Sequence, residues 1–311
     1  MTTITQAKLK KILTLSEPNN LGTTANYIPE LANVPDDLVT FTIQAIDGKP
    51  ITLANMDIPK ITLQSTSKLI PLIALLEEYG PDKVFSWVKV EPSGDDFASI
   101  ARLDQFGPKA SNPMLNAGAI TLCSHIPGEG EQRLAWLNNW IKKLFDTELL
   151  SINNLVLTSE RRTGDRNRSL AYLLKSQGNI FASSVEETLE LYFSLCSYEG
   201  LPEQYIHLPY LLANDGLNMQ GERVIASSTV KYTLAIMATC GLYNESGTHM
   251  VRTGMPAKSG VSGLIFAVSP GKGAVVVASP KVNSKGSSIR GSLILEQIST
   301  QFKWHFADPK K

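Results

Sequence analysis

Hydrophobic and polar residues alternate along residues 39–45, near the start of the chain. Apolar side chains occupy every second position there, and threonine or glutamine stands between them. This alternation predicts a strand with one buried face. The Asp47-Gly48 pair that follows is a hairpin-turn signal, so the apolar residues at 51–53 are predicted to begin the return strand.

Two further strands are predicted near the end of the chain. The apolar runs 261–269 and 273–282 flank a Pro-Gly-Lys-Gly sequence at 270–273, which is typical of a hairpin. Strands thus come from both ends of the chain, and one antiparallel sheet is predicted to contain them all.

The residues between these hairpins show mainly helical periodicity. Apolar positions recur at helical spacing in 129–146, 168–176 and 228–240. Ser184 followed by Glu187 forms a capping-box sequence and predicts the start of another helix.

Amphipathic helices are also predicted at both termini, within 1–16 and at about 287–303. Helices at these positions can cover one face of the sheet. The predicted fold is therefore α+β, with an inserted helical subdomain at about 65–245 and a discontinuous sheet subdomain at about 1–64 and 246–311.

Composition excludes several classes of protein. Of the 311 residues, 43% are hydrophobic and 19% are charged, as in ordinary globular chains. Lysine and arginine total 29, as do aspartate and glutamate, so the formal charge is zero. A balanced charge argues against binding to nucleic acid and against an electrostatic membrane anchor.

The cysteines and histidines predict neither a disulfide framework nor a metal site. The three cysteines lie far apart in apolar stretches, and the four histidines never pair at helical spacing. The N-terminal segment lacks the pattern of a signal peptide, and no apolar run is long enough for a membrane span. We therefore expect a cytoplasmic protein without a cofactor. The cysteines are Cys123, Cys196 and Cys240.

Ser65 and Lys68 form a Ser-x-x-Lys sequence at the start of a predicted helix. Residues three apart share a helix face, so the two side chains can meet. A neutral lysine can activate a serine nucleophile if burial or a second cation lowers its pKa from about 10.4 toward about 8. By itself the sequence also fits a serine cap followed by a surface lysine.

A second signal follows far along the chain, where Lys258-Ser259-Gly260 precedes an apolar strand. A Lys-Thr/Ser-Gly triplet on an edge strand complements Ser-x-x-Lys in penicillin-recognising enzymes. The two signals in this order are more specific than either alone.

Other polar residues are candidates for binding a ligand. Asn116 opens an apolar segment, where it can cap a helix or present its amide to a ligand. In the charged run 159–168, Glu160 suits an ammonium group and Asn167 a carboxylate or amide, although such a run also fits a solvated helix start. Three tyrosines are candidates either for the core or for proton transfer: Tyr27, Tyr192 and Tyr243.

These residues fall in motifs that together resemble the serine-dependent glutaminases of the β-lactamase fold. The resemblance covers nearly the whole chain and implies the fold of β-lactamases and penicillin-binding proteins. It also implies hydrolysis of L-glutamine to L-glutamate and ammonia, and a homotetramer. The motifs are YIPEL (27–31), QSTSK (64–68), EPSG (91–94), NPMLNAGAI (112–120), SE (159–160), RN (166–167), PAKSGVSG (256–263) and GSSIRG (286–291).

The resemblance also implies roles for individual residues. Ser65 is the expected nucleophile, Lys68 its activating partner and Tyr243 a participant in proton transfer. The backbone N–H of Val261 is expected to join that of Ser65 in an oxyanion hole. Substrate contacts are expected from Tyr27, Ser65, Asn116, Glu160, Asn167, Tyr192, Tyr243 and Val261.

The chain departs from the family pattern at two positions outside this set. Asp215 and Leu264 stand where the family usually has glycine. Two other functions fit parts of the sequence. One is a penicillin-binding or β-lactamase-like acyl-serine enzyme, and the other is an amino-acid sensor that keeps the pocket without catalysis.

Overall fold

The computed structural model describes residues 3–94, 99–100, 107, 109–182 and 184–308. The strands in this part of the chain are β1 (Thr40–Ala45), β2 (Ile51–Ala54), β3 (Ile61–Thr62), β4 (Ser151–Ile152), β5 (Tyr198–Gly200), β6 (Ala257–Ser259), β7 (Leu264–Ser269) and β8 (Gly273–Ala278). The α-helices are α1 (Gln6–Ser16), α2 (Leu69–Trp87), α3 (Asn116–Ser124), α4 (Glu131–Phe145), α5 (Asn154–Thr163), α6 (Asp165–Ser176), α7 (Val185–Ser197), α8 (Pro202–Tyr205), α9 (His207–Ala213), α10 (Ser227–Cys240), α11 (Ser246–Thr253) and α12 (Ile289–Phe302). The 3₁₀ turns in the same described ranges span Pro29–Asn33, Gln64–Lys68 and Tyr243–Glu245.

One antiparallel sheet joins the two ends of the chain, as the sequence predicts. Its strand order is β2-β1-β8-β7-β6, so β1 pairs with β8, which lies more than two hundred residues later. The Lys-Ser-Gly triplet does not open the long apolar strand. Lys258 and Ser259 instead lie in the separate edge strand β6, and the chain turns at Gly260–Gly263 before β7 begins.

The central strands of this sheet are buried on both faces, whereas alternation in 39–45 predicts one buried face. The terminal helices α1 and α12 cover one face, and α8 and α9 pack on the other. The polar side chains of β1 tolerate burial because they form hydrogen bonds within the sheet. Thr40 Oγ1 donates to Leu53 O at 2.9 Å, and the hydroxyls of Thr42 and Thr52 are also 2.9 Å apart.

Helices dominate the middle of the chain, in agreement with its periodicity. The predictions for 129–146, 168–176 and 228–240 correspond to α4, α6 and α10, and Ser184 caps α7 by accepting from the amides of Glu186 and Glu187. A small sheet of order β3-β5-β4 was not predicted, because strands of two or three residues leave no periodic signal. The subdomain boundaries near residues 65 and 245 stay a prediction.

Helix α2, which follows Ser65, is not bent at Pro71, the proline nearest to that serine in the sequence. Pro71 lies in the first turn of α2, where a missing N–H leaves no helical bond unmade. The break is at Gly80, whose φ of 74° and ψ of 168° interrupt the helix before Pro81. Within the described ranges, no helix has the length and apolar character needed to cross a membrane.

Candidate active site

The candidate nucleophile lies in a tight turn between β3 and α2. Gln64 has a φ of 46°, a left-handed conformation that non-glycine residues rarely adopt, and Ser65 follows it in the 3₁₀ turn. The Gln64 side chain is buried, donates to Cys196 O at 3.3 Å and forms a hydrogen bond with the Glu160 carboxyl group. These bonds to two helices hold the turn in place.

The edge strand β6 ends directly against this turn. A Cβ atom added at Gly260 would lie 3.0 Å from Leu63 O and 3.4 Å from Ser65 N, so the two backbones approach closely there. Val261 follows, and its amide donates to no other described residue. The Ser65 and Val261 amides therefore belong to segments that are in contact.

Lys68 is fully enclosed by protein. Its Nζ donates to Met114 O at 3.0 Å and to Asn116 Oδ1 at 2.6 Å. Burial lowers the pKa of Lys68 to about 8, while the negative charge of Glu160 opposes the shift. Within the described part of the chain its hydrogen bonds go to the start of α3 and not to Ser65.

Asn116 continues this hydrogen-bond chain to α6. Its Oδ1 accepts from Lys68, and its Nδ2 donates to Asn167 Oδ1 at 2.9 Å. Because the Lys68 Nζ group is a donor, Asn116 accepts through Oδ1 and donates through Nδ2, and Asn167 accepts through Oδ1. The Nδ2 group of Asn167 is therefore the donor at the far end of this hydrogen-bond chain.

Two lysines lie beside the ring of Tyr243. Lys68 Nζ is 5.5 Å and Lys258 Nζ is 4.4 Å from the centre of its ring. Lys258 also donates to the Tyr243 hydroxyl at 3.3 Å and to Ser259 O at 2.6 Å. Burial and the nearby charge of Lys68 hold the pKa of Lys258 well below its usual range.

Glu160 is the buried acid of the site. It is 5% exposed, and burial raises its pKa to about 7 despite the Gln64 hydrogen bond and the charge of Lys68. Tyr192 on α7 is also buried, and the loss of solvent around its hydroxyl, together with the charge of Glu160, raises its pKa. Tyr27 is 47% exposed as a whole residue, yet the desolvated surroundings of its hydroxyl and the charge of Glu160 raise its pKa as well. It thus lies at the open side of the site.

The structure therefore brings the candidate residues into one site, and it gives specific contacts to three more residues, of which Lys258 and Gln64 lie in the motifs named above. Lys258 contacts Tyr243, and Gln64 contacts Glu160. Cys196 forms a hydrogen bond with Tyr192, and the charges of Glu160 and Lys68 shift the pKa of its thiol in opposite directions. Cys196 follows Tyr192 by four residues, one helical turn, and that spacing is a signal available in the sequence. No three His, Cys, Asp or Glu side chains in the described ranges are placed to hold a metal ion.

This chain resembles known proteins in both its sequence and its fold. The family model described as "Glutaminase" matches residues 22–306. The chain belongs to the glutaminase family. It is 60% identical over 302 residues to the glutaminase of Legionella pneumophila strain Philadelphia 1, with 97% of each chain covered. It is 40% identical to the glutaminase of Alkaliphilus oremlandii, with 94% of this chain and 97% of the relative covered.

Solved glutaminase structures confirm the fold predicted from the sequence. The probable glutaminase ybaS matches with a TM-score of 0.91 and 32% identity over 98% of this chain and all of the other. The Bacillus subtilis glutaminase YbgJ, solved as a covalent complex with 5-oxo-L-norleucine after reaction with 6-diazo-5-oxo-L-norleucine, matches with a TM-score of 0.86 and 33% identity. That match covers 96% of this chain and 98% of YbgJ. The family assignment and the glutaminase class of enzyme are thereby established.

Proposed function

We propose that this glutaminase hydrolyses L-glutamine through a glutamyl-Ser65 intermediate. The observation that carries the proposal is the convergence of two buried lysines on Tyr243, beside a serine turn against which the Lys-Ser-Gly strand packs. The covalent complex of YbgJ with a norleucine-derived ligand supports a nucleophile in a related glutaminase.

The first half-reaction forms the acyl-enzyme. Ser65 Oγ attacks the carboxamide carbon, and its proton passes to a neutral Lys68 or through the Tyr243 hydroxyl. The oxyanion is held by the amides of Ser65 and Val261, since Ser65 lies in the first turn of its 3₁₀ helix and the Val261 amide donates to no other described residue. When the carbon–nitrogen bond breaks, the same proton completes the leaving ammonia.

The second half-reaction restores the enzyme. A water molecule attacks the glutamyl ester, loses a proton to the same base, and the proton returns to Ser65 Oγ as the ester bond breaks. The products are L-glutamate and ammonia. The pKa of Lys68, about 8, suits this alternation because the side chain can both accept and release a proton near neutral pH.

The substrate is oriented by its charged end. Ionised Glu160 binds the α-ammonium group through a charge-assisted hydrogen bond, with Tyr27 and Tyr192 beside it. The hydrogen-bond chain from Lys68 through Asn116 leaves Asn167 Nδ2 as a donor, which matches the α-carboxylate. The site thus presents the Glu160 carboxylate as an acceptor for the α-ammonium group and Asn167 Nδ2 as a donor to the α-carboxylate.

In this proposal the protein is a cytoplasmic homotetramer that needs no cofactor and binds neither nucleic acid nor membrane. The balanced charge and the family resemblance support these features.

Ammonia release from L-glutamine and L-asparagine, by the wild type and by Ser65→Ala, tests the proposal. We expect release from glutamine that disappears in Ser65→Ala. Release that survives the substitution would refute the serine mechanism. If the wild type releases none while glutamine raises its melting temperature, the protein is a sensor. Turnover of nitrocefin instead of glutamine would indicate a β-lactamase-like enzyme.

A further inference from the structure

A small hydrophobic cluster, separate from the two main cores, connects three of the candidate binding positions. Its buried members are Ile28, Leu31 and Val156, and Val261 packs against them. Tyr27 precedes Ile28, and Val261 itself carries the expected oxyanion-hole amide. Glu160 follows Val156 by one turn of α5, so the two lie on the same face of that helix. Three separate segments of the chain thus meet beside the candidate binding positions.

One hydrogen bond ties the Tyr27 segment to α5. Ser159 Oγ donates to Glu30 Oε1 at 2.9 Å, and Ser159 is 2% exposed. Glu30 lies in the 3₁₀ turn Pro29–Asn33, two residues after the cluster residue Ile28, while Ser159 immediately precedes Glu160. The bond therefore links the segment that carries Tyr27 to the residue beside the buried acid.

The second carboxylate oxygen of Glu30 indicates that this residue does not serve stability alone. Glu30 Oε2 is buried and accepts no hydrogen bond from the described residues. A buried acceptor without a donor destabilises a fold, so a glutamate at this position calls for another explanation. A shorter or apolar residue would complete the cluster without that cost, but it would not reach Ser159.

We propose that Glu30 is a positioning residue, which holds the Tyr27 segment against α5 through Ser159 and so keeps Tyr27 beside the Glu160 subsite. The proposal rests on the glutaminase mechanism proposed above. Glu30 acts on the substrate through Tyr27. Its loss should therefore weaken substrate binding more than it slows the chemical step.

Steady-state kinetics with L-glutamine test this on Glu30→Ala, Ser159→Ala and the double variant. Each single variant should raise KM about fivefold to tenfold and keep kcat within about twofold, and the double variant should be no worse than the more affected single variant. Glu30→Gln keeps an acceptor for Ser159 and should stay close to the wild type. In a Tyr27→Ala background, Glu30→Ala should have no further effect on KM.

Glu199→Ala is the matched control. Glu199 Oε2 accepts from Asn153 Nδ2 at 2.8 Å, and Asn153 caps the opposite end of α5. This variant loosens the same helix without touching the Tyr27 segment, so its melting temperature should fall while KM stays unchanged. An equal rise in KM for Glu199→Ala would overturn the proposal, as would an unchanged KM in Glu30→Ala and Ser159→Ala.

Two further measurements apply if a variant does not fold or if the wild type releases no ammonia. If Glu30→Ala does not fold, Ser159→Ala and Glu30→Gln still separate the loss of the bond from the loss of the charge. If the wild type releases no ammonia, the glutaminase mechanism fails. The affinity of each variant for L-glutamine, measured from the shift in melting temperature, then replaces KM in the same comparison.

Discussion

Two lysines beside Tyr243 differ in what surrounds them, although both are buried. Lys68, on the α3 side, donates to two oxygen acceptors and lies within the field of Glu160, and its pKa is about 8. Lys258, on the sheet-edge side, faces the tyrosine hydroxyl, and burial together with the charge of Lys68 holds its pKa well below its usual range. Burial lowers the pKa of both lysines, and the charges around them account for the difference between the two.

The two lysines are suited to different chemistry. A group with a pKa near the working pH exchanges protons, whereas a group that stays neutral only donates or accepts a hydrogen bond. Lys68 is therefore the better candidate for the general base. Lys258 is suited to orient Tyr243.

The largest effect is expected from removing Lys68. Lys68→Met should lower kcat/KM by about 10⁴-fold, because it removes the proton acceptor and leaves Met114 O and Asn116 Oδ1 without their donor. Lys68→Arg is the matched control, since an arginine keeps the charge but cannot give up its proton. Ammonia release measured for both variants tests the role. Substantial activity in Lys68→Arg would show that the lysine acts only as a cation.

A smaller loss is expected from removing Lys258. Lys258→Met should lower kcat by about 10²-fold, since Tyr243 loses its hydrogen-bond donor. The wild-type rate should rise with pH as Lys68 loses its proton, with a midpoint near its pKa of about 8. Burial holds the pKa of Lys258 well below its usual range, so we expect this midpoint not to move in the variant. A shift of the kcat profile to higher pH would show that Lys258 contributes charge after all.

The charge of Glu160 acts on Lys68 and also faces the substrate subsite. Glu160→Gln should raise the KM for L-glutamine by about 10-fold to 100-fold, the range expected for a hydrogen bond to a charged group. Burial raises the pKa of Glu160 to about 7, so its ionised fraction falls as the pH drops below that value. The wild-type KM should therefore rise below about pH 7, and the KM of Glu160→Gln should not. A pH-dependent KM in the variant would place the titrating group elsewhere.

Much of the fold was predictable because its signals are local or periodic. The hairpins, the terminal helices and the capped helices follow from spacing and turn residues. The burial of β1 on both faces was not predictable, since it depends on helices from distant parts of the chain. Within the site, the motifs identify Ser65, Lys68 and Glu160 as candidates. They do not show that Lys68 points to Asn116 or that Lys258 lies on Tyr243, because those contacts depend on how α3 and β6 pack.

The smallest effect is expected at Cys196, which lies near both Glu160 and Lys68. An ionised thiolate there would favour the charged form of Lys68, but burial and the charge of Glu160 raise the pKa of Cys196 well above its usual range. The thiol is therefore neutral at pH 8 and exerts little field on the lysine. Cys196→Ala should leave the midpoint of the kcat profile in place and lower stability by about 1 kcal/mol through lost packing. If the midpoint moved to lower pH in this variant, the thiolate would be part of what keeps Lys68 distinct from Lys258.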